Sequence, residues 1–319
     1  MSAAVSAKTR ASGPDTKLTF RERFMVWWEG FEPAPSAASQ KLAPKPTHEV
    51  RYAADQQGWE TTRLRLVQDV WGDGFSTPGG ADHVLNMVKF FGLDPAMSVV
   101  DIGAGLGGAA RTMCENFGVW VNGYEADKGL AEAAMALSIK AGMAKKASIA
   151  PFDPEAFTLK AKSADCVFSQ EYLYTVKDKK EFLATIEAAM KSRGQLLFTD
   201  YVLAKPHLRS ANLDKWIDNE PNGAHPWAIE DYRQTLAELH MDIRVAQDTT
   251  DEFQKMVTNG WAAFVSRVRQ TGILPEVHMA LTDEAELWAR RMQVIEAGDL
   301  KVFRVHVLKR DTDKLMGDW

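Results

Sequence analysis

VVDIGAGLGG, residues 99–108, is an apolar run that reaches Asp101 and Ile102, turns through Gly103, Gly105 and Gly107, and opens into a stretch of helical character. It reads as strand, tight turn, helix. Glycine at the turn lets the backbone adopt left-handed angles and lets a ligand approach closely. In doubly wound sheets, nucleotide sites form at the carboxyl ends of the strands, where this loop falls.

Working outward, the chain alternates. Strands are expected at 98–102, 119–124, 147–150, 164–169 and 195–199, with helices at 108–117, 129–141 and 179–189 between them. Two later strands, 242–248 and 302–308, read as a pair of the kind that makes an antiparallel edge. The pattern predicts an α/β fold: a Rossmann-like, doubly wound, mainly parallel sheet with an antiparallel edge strand. Segments near 205–239 and 253–298 break the alternation and are read as helical cap elements on the 96–310 domain. Upstream, 18–95 is an N-terminal helical extension with helices at 56–70 and 81–91 around the loop GDGFSTPGG, residues 72–80. Residues 33–46, rich in Pro, Ala and Ser, form a linker, and 1–17, small, polar and basic, form a disordered tail. In 18–31, Phe20, Phe24, Trp27, Trp28 and Phe31 recur at helical spacing. That aromatic face suits packing on the main domain, a lid, a dimer contact or a membrane surface.

Composition narrows the classes. The 319 residues carry a formal net charge of -5, with 45% hydrophobic and 25% charged residues, as in an ordinary globular protein. An acidic balance argues against a nucleic-acid partner. No run approaches the roughly 20 apolar residues of a membrane span. The two cysteines, Cys114 and Cys166, form no CxxC pair, so neither a zinc site nor a disulfide framework is expected, no metal is called for, and a reducing cytoplasm is the expected compartment.

The glycine-rich turn alone also suits a dinucleotide fold. Two acids shift the balance. Asp101, just before the turn, would repel a diphosphate but suits a cationic sulfonium with an amino-acid tail. Glu125 closes the second strand, where a carboxylate can accept both hydroxyls of a ribose, with Asp127 as the alternative.

VVDIGAGLGG resembles the first motif of the class I S-adenosylmethionine-dependent methyltransferases. ADCVFSQEYLYTVKD, residues 164–178, is similar to the fourth-strand segment of the sarcosine/dimethylglycine, phosphoethanolamine and sterol-type members. GFSTPGG, residues 74–80, resembles their loop that closes over the methionine end of the cofactor. The resemblance covers about residues 70–205 and implies S-adenosylmethionine as cofactor. By it, Ser76, Asp101, Gly103, Gly105 and Gly107 would meet the methionine and sugar end. Glu125 would hold the ribose and Asp153 the adenine, with Phe152 alongside. Ser169 and Gln170 would lie beneath the cofactor. Those small-amine enzymes usually carry a histidine a few residues on, where this chain has Thr175. Methyl transfer can proceed without that base, because the sulfonium is already activated and positioning and desolvation supply much of the rate.

Glu171, Tyr172, Tyr174 and Tyr201 are the catalytic candidates, with Asp200 beside them. Carboxylates and aromatics together suit a cationic or amine acceptor. Trp227 is a candidate pocket wall, and His225 the best placed of three isolated histidines. The expected activity is methyl transfer to a small-molecule acceptor, an amine first. A lipid-like acceptor at carbon, oxygen or sulfur, a non-catalytic cofactor-binding protein and a nicotinamide-dependent oxidoreductase are the competing readings. A homodimer is compatible with the sequence.

Overall fold

The computed structural model describes residues 18–29, 61–273 and 277–311. The expected tail, the linker, Phe31 and the start of the helix at 56–70 lie outside the described residues, as do the side chains of Trp27 and Trp28. Three helices come first: α1 (Phe20–Glu29), α2 (Thr61–Trp71) and α3 (Gly80–Val88). The alternation follows: β1 (Ser98–Ile102), α4 (Gly108–Phe117), β2 (Trp120–Glu125), α5 (Lys128–Lys140), β3 (Ala147–Pro151), β4 (Ala164–Gln170), α6 (Lys179–Ala189) and β5 (Met190–Leu203). The chain then runs through α7 (Ala211–Asn219), α8 (Ile229–Glu238), β6 (Met241–Asp248), α9 (Thr250–Thr271), α10 (His278–Glu296) and β7 (Leu300–Lys309).

The strands form one seven-stranded sheet in the order β3-β2-β1-β4-β5-β7-β6. β1 through β5 pair in parallel, and β7 runs antiparallel to both β5 and β6, so the late pair makes the antiparallel edge that the pattern predicts. Because β1 lies between β2 and β4, the strand order reverses beside it, which is where open α/β sheets bind ligands.

Both faces of the sheet are apolar because both are covered. Along β1, β4 and β5, side chains alternate between two cores. Val99, Cys166, Phe168 and Leu197 pack under α3, α4 and α5. Val100, Val167, Leu196 and Phe198 pack under α6 and α8. A third core joins α1, α2, α7, α9 and α10 around Trp71, Trp216, Trp261 and Trp288. The N-terminal aromatic helix therefore packs on its own chain: Phe20 is buried, and Phe24 meets the Trp261 ring edge-on at 5.4 Å.

β5 is longer than the sequence pattern suggests. Its outer end, Asp200 to Leu203, continues in register with β7 after its parallel partner β4 has stopped at Gln170. That extension carries Tyr201 into the third core and turns Asp200 to the other face, toward Tyr232 on the α8 side.

Candidate active site

The glycine-rich turn is tied to β2 before anything else touches it. The amides of Gly103 and Ala104 both donate to the Tyr124 carbonyl, at 2.8 and 3.0 Å. Glu125 completes the tie: its Oε2 accepts the Gly105 amide at 2.8 Å and its Oε1 accepts the Asp127 amide at 3.0 Å. Gly103 and Gly105 both have positive φ, 71° and 54°. A Cβ on Gly103 would stand 2.3 Å from the Tyr172 ring, and one on Gly105 would stand 2.6 Å from Ser76 Oγ. Neither position has room for a side chain.

The 72–80 loop lies across this turn and is strapped down on three sides. Gln68 Oε1 accepts the Gly74 amide at 2.9 Å, Arg111 Nη2 donates to the Gly74 carbonyl at 3.3 Å, and Gln170 Nε2 donates to the Pro78 carbonyl at 3.2 Å. Between loop and turn lies a cavity of about 30 Å³ lined by Ser76, Asp101, Gly103, Gly105 and Gln170, among others. Asp101 is buried at the end of β1, and its Oδ2 has no hydrogen-bond partner. Burial, then the neighbouring charge of Glu125, pushes the Asp101 carboxyl up to about 7. Burial likewise lifts Glu125 to about 7, against the pull of its backbone donors.

Five of the residues singled out from sequence thus converge on one cavity. The others fall around it. Gly107, the residue just before α4, has a left-handed φ of 74°, and a Cβ there would meet Arg111 and Ile149. Ser169 is fully buried and donates to the Ile102 carbonyl at 2.9 Å, pinning β4 to β1 rather than lining the cavity. Phe152 sits in an aromatic group with Tyr124, Phe157 and Tyr172 on the β2–β3 side. Asp153 is exposed and accepts the Glu155 amide at 2.9 Å. Asp127 caps α5 through the Leu130 amide at 2.9 Å.

The four catalytic candidates do not share one wall. Tyr172 lies under the Gly103 turn, with its hydroxyl buried and unpartnered. Tyr174 and Tyr201 are buried 4.9 Å apart beside Trp216 in the third core. Glu171 stands between these groups and carries a left-handed φ of 44°. Thr199 holds it there: the Glu171 amide donates to the Thr199 carbonyl at 2.8 Å, and the Thr199 hydroxyl donates to Glu171 Oε1 at 2.7 Å. A non-glycine residue in this region costs roughly 1–3 kcal/mol and persists where its surroundings enforce it, commonly at functional sites. Glu171 Oε2 is buried without a partner, and burial lifts this carboxyl to about 7.

Deeper charges complete the picture, and of these only Asp200 is announced by the sequence, at the end of its expected strand. Asp200 accepts the Tyr232 hydroxyl at 2.6 Å and the Tyr174 amide at 2.9 Å. Burial raises the Asp200 carboxyl and lowers the Lys179 ammonium, and each opposes the shift of the other. The Arg291 guanidinium closes on Glu220 and donates to the Tyr174 hydroxyl at 3.2 Å. Trp227 packs on Tyr232 and lies against the Lys179 ammonium, and His225 is exposed. Thr175 donates to the Tyr172 carbonyl at 2.8 Å. Among the described residues no cluster could hold a metal ion, and no helix is long and apolar enough to cross a membrane.

The strand order, the glycine-rich turn after β1 and the acid ending β2 describe the class I methyltransferase architecture. Residues 81–239 match the family model described as a methyltransferase domain. Over 151 residues the chain is 32% identical to phosphoethanolamine N-methyltransferase 2 of Caenorhabditis elegans, covering 46% of this chain and 34% of that protein. Over 218 residues it is 23% identical to phosphoethanolamine N-methyltransferase 1 of Arabidopsis thaliana, covering 68% and 43%. The chain spans less than half the length of these curated relatives. The solved structure of Haemonchus contortus phosphoethanolamine N-methyltransferase 2 with S-adenosyl-L-methionine superposes with a TM-score of 0.69 at 21% identity, covering 84% of this chain and 61% of that one. Fold and matches together identify a class I S-adenosylmethionine-dependent methyltransferase domain in this chain.

Proposed function

We propose that this protein transfers a methyl group from S-adenosylmethionine to a small-molecule acceptor, with an amine nitrogen as the receiving atom. The observation that carries the reading is Asp101 Oδ2: a buried carboxylate oxygen without a partner, facing a turn whose glycines leave no room for side chains. Such an acid fits the ammonium of a methionine tail, and the bare turn fits a ribose laid against it. When bound, S-adenosylmethionine supplies the electrophilic methyl group.

The chain's own residues would do the rest. Asp101 and the Gly103–Gly105 backbone would hold the amino-acid end, with Ser76 and Gln170 closing the loop over it. Glu125 would take the ribose hydroxyls, and Phe152 and Asp153 would border the adenine. Glu171, held rigid by Thr199, offers its free Oε2 to an acceptor N–H and orients the nitrogen lone pair toward the methyl group. Water exclusion by the 72–80 loop strengthens these contacts. No histidine general base is required, so an acceptor amine need only be neutral when it attacks.

A lipid-like acceptor is less well supported, because Phe20 and Phe24 pack on Trp261 instead of lining a tunnel. The reading includes a cytoplasmic setting, in keeping with two free, buried cysteines. It includes no nucleic-acid partner, given the acidic balance, and is compatible with a homodimer.

The test is calorimetric titration of the purified protein with S-adenosylhomocysteine. Micromolar binding is expected, lost in Asp101→Ala, together with methyl transfer to at least one amine of a panel. A protein that binds neither S-adenosylhomocysteine nor S-adenosylmethionine at millimolar concentration would overturn the reading.

A further inference from the structure

The acceptor end of the site has an unusual charge balance. The charges that act on Glu171, Asp200 and Tyr201 are those three residues' own neighbours: the carboxylates Glu171, Asp200 and Glu220, and the cations Arg291 and Lys179. Both cations are already engaged within the chain. Arg291, whose side chain is 15% exposed, meets Glu220 through both Nε and Nη2 and spends Nη2 on the Tyr174 hydroxyl as well. Lys179 donates to the carbonyls of Val176 and His225 and faces Asp200. Arg291 is bonded to Glu220 and Lys179 is set against Asp200, so Arg291 acts on Glu171 only through space, and Glu171 Oε2 has no hydrogen-bond partner.

This arrangement discriminates between kinds of amine. An ammonium or amine N–H meets the one unbalanced carboxylate. A phosphate on the same molecule brings roughly −1.5 to −2 further charge, and a buried anion without a partner is strongly disfavoured. Among the described residues around Glu171, the guanidinium that could receive a phosphate is taken by a carboxylate of this chain. Glu220 comes from the segment after α7 and Arg291 from α10, so the pairing is made by the cap and not by the sheet.

We propose that the acceptor is an amine that carries no phosphate or carboxylate group, and that Glu220 sets this preference by occupying the Arg291 guanidinium. The inference rests on the methyl-transfer reading above and names its substrate class. It sets this chain apart from the phosphoethanolamine N-methyltransferases it resembles. Glu220 acts through Arg291 and is a specificity-determining residue, not a catalytic one.

The experiment uses two matched pairs of probes: ethanolamine with phosphoethanolamine, and tyramine with O-phosphotyramine. Each is titrated calorimetrically into the full chain saturated with S-adenosylhomocysteine, and each is assayed for methyl transfer from S-adenosylmethionine. In the wild type, the unphosphorylated member of a pair is expected to bind at least tenfold more tightly and to react at least tenfold faster by kcat/KM. Glu220→Gln frees the guanidinium and shifts both ratios at least tenfold toward the phosphorylated member. Glu220→Gln combined with Arg291→Gln returns the ratios to the wild-type order, which a merely structural role for Glu220 does not predict. A wild type that prefers a phosphorylated probe overturns the inference while leaving methyl transfer standing. An unshifted ratio in a folded Glu220→Gln variant overturns it as well, and so does failure of all four probes to bind a protein that holds S-adenosylhomocysteine. Should Glu220→Gln fail to fold, the wild-type ratios decide. Loss of S-adenosylhomocysteine binding itself is a different result, and it removes the underlying methyltransferase reading.

Discussion

Glu125, the last residue of β2, accepts the amide of Gly105, twenty positions earlier in the chain, at 2.8 Å. One carboxylate thus fixes the shape of the turn and, in the proposed function, keeps its remaining acceptor capacity for ribose. Glu125→Ala should lose both. Hydrogen bonds to charged groups contribute about 1.5–3 kcal/mol each, so S-adenosylhomocysteine should bind at least tenfold more weakly. Calorimetry on the variant measures this. Unchanged affinity would remove Glu125 from the cofactor site.

Asp101 gives the site a pH dependence. Its carboxyl sits at about 7, lifted by burial. It must ionise to pair with an ammonium, so affinity for S-adenosylhomocysteine should fall about tenfold from pH 8 to pH 6, the loss for one group titrating in the middle of that range. Stability of the free protein runs the other way. A carboxyl with a raised folded-state value holds its proton where the unfolded chain has released it. Its stabilising contribution is complete below about pH 4 and is lost as pH rises through 7, by at most about 1.4 kcal/mol per pH unit. Denaturant titrations of the wild type and Asp101→Asn across this range should show a shallower slope in the variant.

Gly103 has no room for a side chain. Gly103→Ala faces a left-handed φ, a penalty of about 1–2 kcal/mol, and a clash with Tyr172. The variant should melt several degrees lower and bind S-adenosylhomocysteine poorly. Adding Tyr172→Gly removes both the ring and the Cβ, which stands 2.5 Å from the new methyl group, but not the backbone penalty, so recovery should be partial. Full recovery would mean that φ is not the constraint.

Trp261 on α9 is fully buried and meets Phe20, Phe24, Trp71 and Phe264. Trp261→Ala should cost about 3–5 kcal/mol, concentrated in the cap. Hydrogen exchange should then rise in α1, α2 and α9 before it rises in β1 and β4. A uniform rise would show that cap and sheet unfold as one unit.

The elements around the turn were legible because each carries its own period. β1, α4 and α6 fall where the apolar pattern predicts, and glycine marks the turn between β1 and α4. The site's first layer was legible for the same reason: Asp101, Gly103 and Gly105 are contiguous with a strand end. What stayed hidden depends on contacts between distant segments. Arg291 and Glu220 are 71 residues apart, and neither looks different from a surface charge until α10 and the cap meet. β5 was drawn too short at both ends. Lys191, Ser192, Arg193 and Gly194 fall between the predicted helix and strand, and Arg193 takes a left-handed φ of 60°, yet β5 pairs with β4 on both sides of them, Met190 opposite Ala164 and Gln195 opposite Cys166 across a register shift. Tyr174 and Tyr201 follow strand ends, as site residues often do, but the cap helices fold over them and make them core.

The straps on the 72–80 loop bear on time as well as on shape. A cavity of about 30 Å³ is far below the roughly 300–1,000 Å³ of a ligand site. In the proposed function the loop gives way each time a molecule enters or leaves, and Gln68, Arg111 and Gln170 hold hydrogen bonds that such an opening would strain. The straps thus place a gate on reuse of the site that is separate from the chemistry at the reacting atoms.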